Sequence, residues 1–153
     1  MNKYFIPLII LAILAMSGCA IGNKIGRNGH DVEVTLGNIS VPDGERTGDL
    51  STVNGNIEIG ENALTDNVAI TNGNIDIGSY STAKRVSTVN GNISLGSYSV
   101  INGNVSTVNG DIRLKEGAKV MANVTTSTGN ILLSEQVEIG GDIIFESSSL
   151  SSM

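Results

Sequence analysis

Apolar and polar residues alternate in short runs that recur along most of this chain. Each run contains an isoleucine, a residue that is usually polar, and a second aliphatic residue, and successive runs lie 18 or 19 residues apart. The first aliphatic column comprises Ile39, Ile57, Ile75, Ile93, Ile112 and Ile131. The second comprises Val41, Ile59, Ile77, Leu95, Leu114 and Leu133. Alternation with a period of two predicts a short strand that buries one face.

Two more apolar columns follow the same period. One contains Leu50, Val68, Val86, Val105, Val124 and Ile143, and a weaker one contains Ile101, Val120 and Ile139, with Leu64 near that position in an earlier unit. The first two columns belong to one strand, so each repeat contains three apolar stripes. They predict an all-β, single-domain parallel β-helix (solenoid) of about six coils, each of 18–19 residues, over residues 31–146. The uneven apolar spacing favours a right-handed helix over the left-handed form that is typical of strict hexapeptide coils.

The dipeptide Asn-Gly separates two of the strands in most repeats, for example in STVNGNIEIG (51–60) and STVNGNISLG (87–96). Glycine and asparagine tolerate the positive φ angles that tight corners need. Corners that stack from coil to coil align their side chains, so we expect the amides to form a hydrogen-bonded structural ladder. The predicted ladder comprises Asn54, Asn72, Asn90 and Asn109.

Composition and charge argue against several classes of partner and site. The 153 residues include 19 Gly, 2 Phe and no Trp, so the core must be aliphatic, and the formal net charge is −6. Scattered basic residues in an acidic chain argue against a nucleic-acid partner. The only histidine, His30, precedes the first coil, so neither a histidine-based triad nor a His/Cys metal site is expected, and no cofactor is predicted.

The N-terminus has the pattern of a secretory signal peptide, because Lys3 precedes an apolar run that ends in small residues before Cys19. Residues 16–19, MSGC, resemble the lipobox of bacterial lipoproteins. That resemblance implies removal of residues 1–18, lipidation of Cys19 and a membrane-anchored protein of the bacterial cell envelope. Ala20 beside Cys19 resembles an outer-membrane sorting signal, which implies the outer membrane if the host has one. The Gly/Asn-rich composition predicts a flexible tether over 19–30. The Ser-rich end, 147–153, is expected to be disordered.

The repeat VSTVNGNISL (86–95) resembles the adhesin-like DUF4097 and DUF2807 (head-GIN) families. Two other stretches, VINGNVS (100–106) and EIGGDII (138–144), are similar to coils of bactofilins, which are polymerising β-helices. These resemblances imply a β-helix and suggest adhesion or self-assembly, but they carry over no catalytic residue.

Two pairs of side chains are candidate surface sites. Glu58 and Asp76 occupy one outward column on adjacent coils. They either simply point into water, which we favour, or hold a hard cation or, less well, serve in carboxylate catalysis. Tyr80 and Tyr98 occur in matching contexts, GSYS, 18 residues apart. They form either a small sugar-binding or partner-binding patch or, as we favour, packing or surface stacking at a corner.

The sequence therefore predicts a non-enzymatic, lipid-anchored binding or scaffolding module, with an envelope polysaccharide or a protein as its partner. The main alternative is a self-assembling structural polymer that associates through its solenoid ends. A polysaccharide-active enzyme is a third hypothesis.

Overall fold

The computed structural model describes residues 24–25 and 29–145. The described chain contains strands and turns without a helix, and its strands form three parallel sheets. Sheet 1 comprises Val32–Leu36 (β2), Leu50–Asn54 (β4), Asn67–Asn72 (β6), Arg85–Asn90 (β9), Val105–Asn109 (β12), Val124–Thr128 (β15) and Ile143–Phe145 (β18). Sheet 2 comprises Lys24–Ile25 (β1), Ile39–Val41 (β3), Ile57–Ile59 (β5), Ile75–Ile77 (β7), Ile93–Leu95 (β10), Ile112–Leu114 (β13) and Ile131–Leu133 (β16). Sheet 3 comprises Thr82–Ala83 (β8), Val100–Ile101 (β11), Lys119–Val120 (β14) and Glu138–Ile139 (β17).

The chain visits the three sheets in turn and so winds a β-solenoid of about six coils, which confirms the predicted fold class. Each strand pairs in parallel with its equivalent in the next coil, and the register aligns the predicted columns, as in Ile57↔Ile75 and Val86↔Val105. The inward residues of these columns are fully buried over the central coils. Because each coil buries its apolar face on its neighbours, the repeat itself specifies the core. The handedness stays a prediction.

Sheet 3 is the least regular face, and its first coils differ from the expected apolar stripe. Leu64 makes only isolated bridges, to Arg46 and Thr82, and its side chain is exposed. The register therefore places Thr65, and Thr47 one coil earlier, beneath Ala83 on the inward side. Both threonines are buried.

The asparagines at the Asn-Gly corners form the expected ladder of side-chain bonds. Asn72 Nδ2 donates to Asn54 Oδ1 at 2.9 Å, Asn90 Nδ2 to Asn72 Oδ1 at 2.9 Å, and Asn109 Nδ2 to Asn90 Oδ1 at 2.8 Å. These bonds connect four successive coils along one edge of the prism. They satisfy exposed amides, so their contribution is structural.

A second ladder lies two residues further along the chain, and sequence analysis did not predict it. There a side-chain oxygen accepts from the backbone N–H of the equivalent residue in the next coil, at 2.8–2.9 Å. Its acceptors are Asn38, Asn56, Asn74, Asn92 and Asp111.

The segment assigned to the tether contributes to the solenoid. Lys24 and Ile25 form β1 and pair with Ile39 and Ser40 of β3. Gly29 N donates to Arg46 O at 2.6 Å, and His30 O accepts from Gly48 N at 3.0 Å. Cys19, the proposed signal peptide (1–18) and the proposed tail (147–153) lie outside the described residues. Within the described part of the chain, no helix is long and apolar enough to cross a membrane.

Candidate binding site

One corner of the prism, between sheet 2 and sheet 3, holds a column of residues in the left-handed backbone region. Their φ angles lie between 55° and 71°. The column comprises Gly44, Asn62, Tyr80, Tyr98, Gly117 and Gln136. The backbone N–H of each of the first five donates to the carbonyl oxygen that precedes the next member, at 2.8–3.0 Å. The turn geometry is thus fixed from coil to coil, whatever side chain occupies it.

Two of these positions carry tyrosines, which rarely adopt this conformation. Tyr80 has a φ of 59° and Tyr98 a φ of 57°. An L-residue with a Cβ costs about 1–2 kcal/mol in the left-handed region, and bulky residues are unusual there. Glycine or asparagine would fit better, as they do at Gly44, Asn62 and Gly117. The tyrosines are therefore not explained by the backbone of the corner.

Buried serines hold both tyrosine corners in place. Ser81 Oγ donates to Gly60 O at 2.7 Å and accepts from Ala63 N at 3.0 Å. Ser99 Oγ donates to Gly96 O at 2.7 Å. Both serines are fully buried, so these bonds form where water does not compete with them. Each follows its tyrosine directly, so these bonds reinforce the backbone bonds that already set the geometry of the corner.

The two phenol rings stack on the surface. Their centroids lie 5.4 Å apart, with 10° between the ring planes. Tyr80 is 60% exposed and Tyr98 41% exposed. The Tyr98 ring also lies where a side chain at Gly117 would be, since a Cβ there would overlap ring atoms. The rings therefore stack on the surface, one of the expected arrangements, and are not buried at the corner, so they form an exposed aromatic patch.

Carboxylates lie in the same column on the coils before and after this patch. The residue before each member of the column is acidic outside the two tyrosine coils, at Asp43, Glu61, Glu116 and Glu135, and all four are exposed. Tyr98 Oη donates to Glu116 Oε1 at a long 3.4 Å. The nearby Glu116 carboxylate raises the pKa of Tyr98 above its ordinary value, because a tyrosinate would be repelled, and partial desolvation adds to this. The patch therefore combines neutral aromatic rings with a negative rim.

The second candidate pair is less developed. Glu58 and Asp76 pair in register on β5 and β7, as the sequence predicts, and both are exposed. Ser40 and Ser94 flank them in the same column. Among the described residues, no group of three or more His, Cys, Asp or Glu side chains could hold a metal ion. Two exposed carboxylates without converging groups make a poor binding or catalytic site.

The sequence indicated the tyrosine pair but not its left-handed backbone conformation. The repeat register was sufficient to align both tyrosines with Gly44, Asn62 and Gly117. That alignment of tyrosine with glycine and asparagine was the available signal of a left-handed corner. The orientation of the rings and their exposure depend on packing between coils, which the sequence does not reveal.

No protein-family model, curated protein or solved structure matches the chain. The resemblances to adhesin-like families and to bactofilins therefore stay predictions that rest on the repeat.

Proposed function

We propose that this protein is a non-catalytic binding module of the bacterial cell envelope, anchored through a lipid on Cys19, which binds its partner at the Tyr80–Tyr98 patch. The main support for the proposal is that Tyr80 and Tyr98 are exposed although both adopt the left-handed backbone conformation. Strained residues persist where the surrounding structure enforces them, and they concentrate at functional sites. Here the strain places two large aromatic rings in solvent, where they add little to the core.

The rim of the patch indicates the chemistry of the partner. Anionic polymers would be repelled by Glu61, Glu116 and the overall charge of −6. Positive groups are attracted to the face of an aromatic ring and to carboxylates beside it. We therefore propose a partner that presents cationic groups, with the side chains of arginine or lysine on a protein segment as the simplest case.

The proposed anchor sets how the patch is displayed. β1 lies just before the first coil, a few residues after Cys19, while the tyrosine corners belong to the third and fourth coils. At about 4.8 Å per coil, the patch would lie roughly 10–15 Å along the solenoid from the coil nearest the anchor. The short segment that links the first coil to the lipid would thus keep the patch at a distance from the bilayer surface.

The proposal is tested by titrating the full-length protein, in detergent, with a short arginine-containing peptide. The double variant Tyr80→Asn/Tyr98→Gly replaces both tyrosines by residues that this column already contains. We expect at least about tenfold weaker binding, equivalent to ~1.4 kcal/mol, because both ring faces are lost. The melting temperature should not fall, since the backbone strain is relieved.

Leu64→Ser is the matched control, because it removes another exposed apolar side chain without touching the patch. It should leave peptide binding unchanged. A glutamate-containing peptide should not bind, and a neutral cello-oligosaccharide serves as the carbohydrate probe. Equal binding of the arginine peptide by wild type and by the double variant would refute the site. Binding of the oligosaccharide alone would refute a cationic partner and favour an envelope polysaccharide.

A further inference from the structure

The C-terminal end of the solenoid exposes side chains that are buried in every central coil. Leu133 is 46% exposed, Ile143 44% and Phe145 57%. Their register partners one coil earlier, Leu114, Val124 and Thr126, are all 0% exposed. The three side chains therefore belong to inward columns that no further strand of the described residues covers. They form an apolar end surface, here named the C-terminal face.

The opposite end is closed. In the first coil, Val32, Val34, Ile39 and Val41 are at most 8% exposed. β1 adds a strand to sheet 2 beyond this coil, and the bonds of Gly29 and His30 to the chain at 46–48 continue the cover on the third side. Only one end of the described solenoid thus presents its core to solvent.

Residues 146–153 offer little apolar surface to the C-terminal face. Five of these eight residues are serine, and Leu150 and Met153 are their only apolar side chains. A central coil supplies six buried inward side chains, for example Val105, Thr107, Ile112, Leu114, Ala118 and Val120. β1 lies at the far end of the solenoid, about 30 Å from β16 at six spacings of roughly 4.8 Å.

We propose that the C-terminal face is a self-association surface, through which two copies pair end to end about a two-fold axis. A second copy supplies the same apolar surface, so a single interface buries both. Because the other end is closed, association stops at two copies. This differs from the polymer that the bactofilin-like repeats suggest, which would need two adhesive ends.

The membrane consequence rests on the proposed lipid anchor. Each anchor would attach at the first coil, so the dimer carries its two anchors at opposite extremes. Twelve coils at about 4.8 Å separate them by roughly 60 Å. Such a dimer links proteins on facing membranes rather than neighbours in one leaflet. Homophilic adhesion to a second copy of this chain would then be a role additional to partner binding at the Tyr80–Tyr98 patch.

The test uses full-length lipidated protein in detergent, examined by sedimentation over a range of concentrations. We expect the protein mass to level off at twice that of one chain. Phe145→Asp places a charge in the interface and should shift the midpoint of association at least about tenfold to higher concentration. Leu36→Asp, at a residue 44% exposed in the first coil, is the matched control and should leave the dimer intact. A monomer at all concentrations overturns the proposal, and so does growth without a limit.

A thiol cross-link keeps the test independent of folding defects in Phe145→Asp. With Cys19 lipidated, an introduced cysteine is the only thiol, since the chain contains a single cysteine. Asp142→Cys, exposed beside β18, should give covalent dimers with a short bifunctional reagent, and Asp31→Cys at the closed end should not. The absence of cross-linked Asp142→Cys overturns the proposal.

Vesicles that carry the reconstituted protein then test the orientation. Wild type should cluster them, and Phe145→Asp should not. A detergent dimer that fails to cluster vesicles overturns the facing-membrane arrangement. Arginine-peptide binding by Phe145→Asp should equal that of wild type, so failure here is distinct from failure of the tyrosine site.

Discussion

Two buried threonines in the first coils are expected to lower the stability of the fold. Thr65 is 1% exposed and Thr47 3% exposed, and neither Oγ1 has a hydrogen-bond partner within the described protein. A buried hydroxyl without a partner costs about 1–3 kcal/mol, because it gives up its bonds to water. Thr65→Val removes the hydroxyl and keeps the volume. We expect the free energy of unfolding to rise by about 1.5 kcal/mol, or roughly 5 °C in melting temperature.

The same substitution at Thr88 provides an internal control with the opposite sign. Thr88 is also 1% exposed, but its Oγ1 donates to Gly73 O in the preceding coil at 3.2 Å. The same bond recurs in three other coils: Thr52 Oγ1 donates to Gly37 O at 3.1 Å, Thr107 Oγ1 to Gly91 O at 3.0 Å, and Thr126 Oγ1 to Gly110 O at 3.1 Å. Thr88→Val leaves a corner carbonyl without its donor, so stability should fall by about 1 kcal/mol.

Thermal and urea unfolding, monitored by circular dichroism, would measure both changes. We expect the free energies of unfolding of the two valine variants to differ by about 2.5 kcal/mol, although both positions are almost equally buried. If the two substitutions shifted stability in the same direction, hydrogen bonding would not be the property that distinguishes these columns. The account of the Gly-corner bonds would then be wrong.

Two further predictions concern the corners. Gly73 has a φ of 148° and packs so closely against the preceding coil that a Cβ would overlap the Gly55 carbonyl oxygen. Gly73→Ala should therefore lower the free energy of unfolding by about 3 kcal/mol or more. Gly44 has a φ of 71° and no atom within 4 Å of where a Cβ would be, so Gly44→Ala should lower it by only about 1 kcal/mol. Glu116→Gln should bring the pKa of Tyr98 back toward its ordinary value, and an ultraviolet titration of tyrosinate in a Tyr80→Phe background would detect the change. Because the pKa of Tyr98 is raised in the folded state, wild type should lose stability as the pH rises above about 10, and the variant should lose less. An unchanged titration would contradict the role of Glu116.

The sequence by itself determined the architecture, because every coil must bury its apolar face on the next. A period of 18 or 19 residues with fixed apolar columns requires equivalent residues to stack in register, and the structure has that register. The Asn54–Asn109 ladder followed from the same stacking. Residue type and spacing were sufficient, since neighbours in a solenoid are related by a constant number of residues.

Where the stripe was weak, the sequence was misleading. Leu64 is apolar and lies close to the third column, yet Thr65 occupies the inward position and Leu64 faces solvent. A shift of one residue in a strand reverses the direction of its side chain. With only isolated bridges at this face, hydrophobicity did not fix that choice.

Only the tertiary structure decided the features on which the functional proposals depend. The left-handed backbone at Tyr80 and Tyr98, the 5.4 Å ring stack and the overlap with Gly117 arise from contacts between coils. The first coil is covered by β1 and by the bonds of Gly29 and His30, whereas the inward residues of the last described coil are exposed. A repeating pattern specifies the interior of a solenoid, because each coil has two neighbours. It does not specify a corner side chain or an end, where one neighbour is absent and the local packing decides.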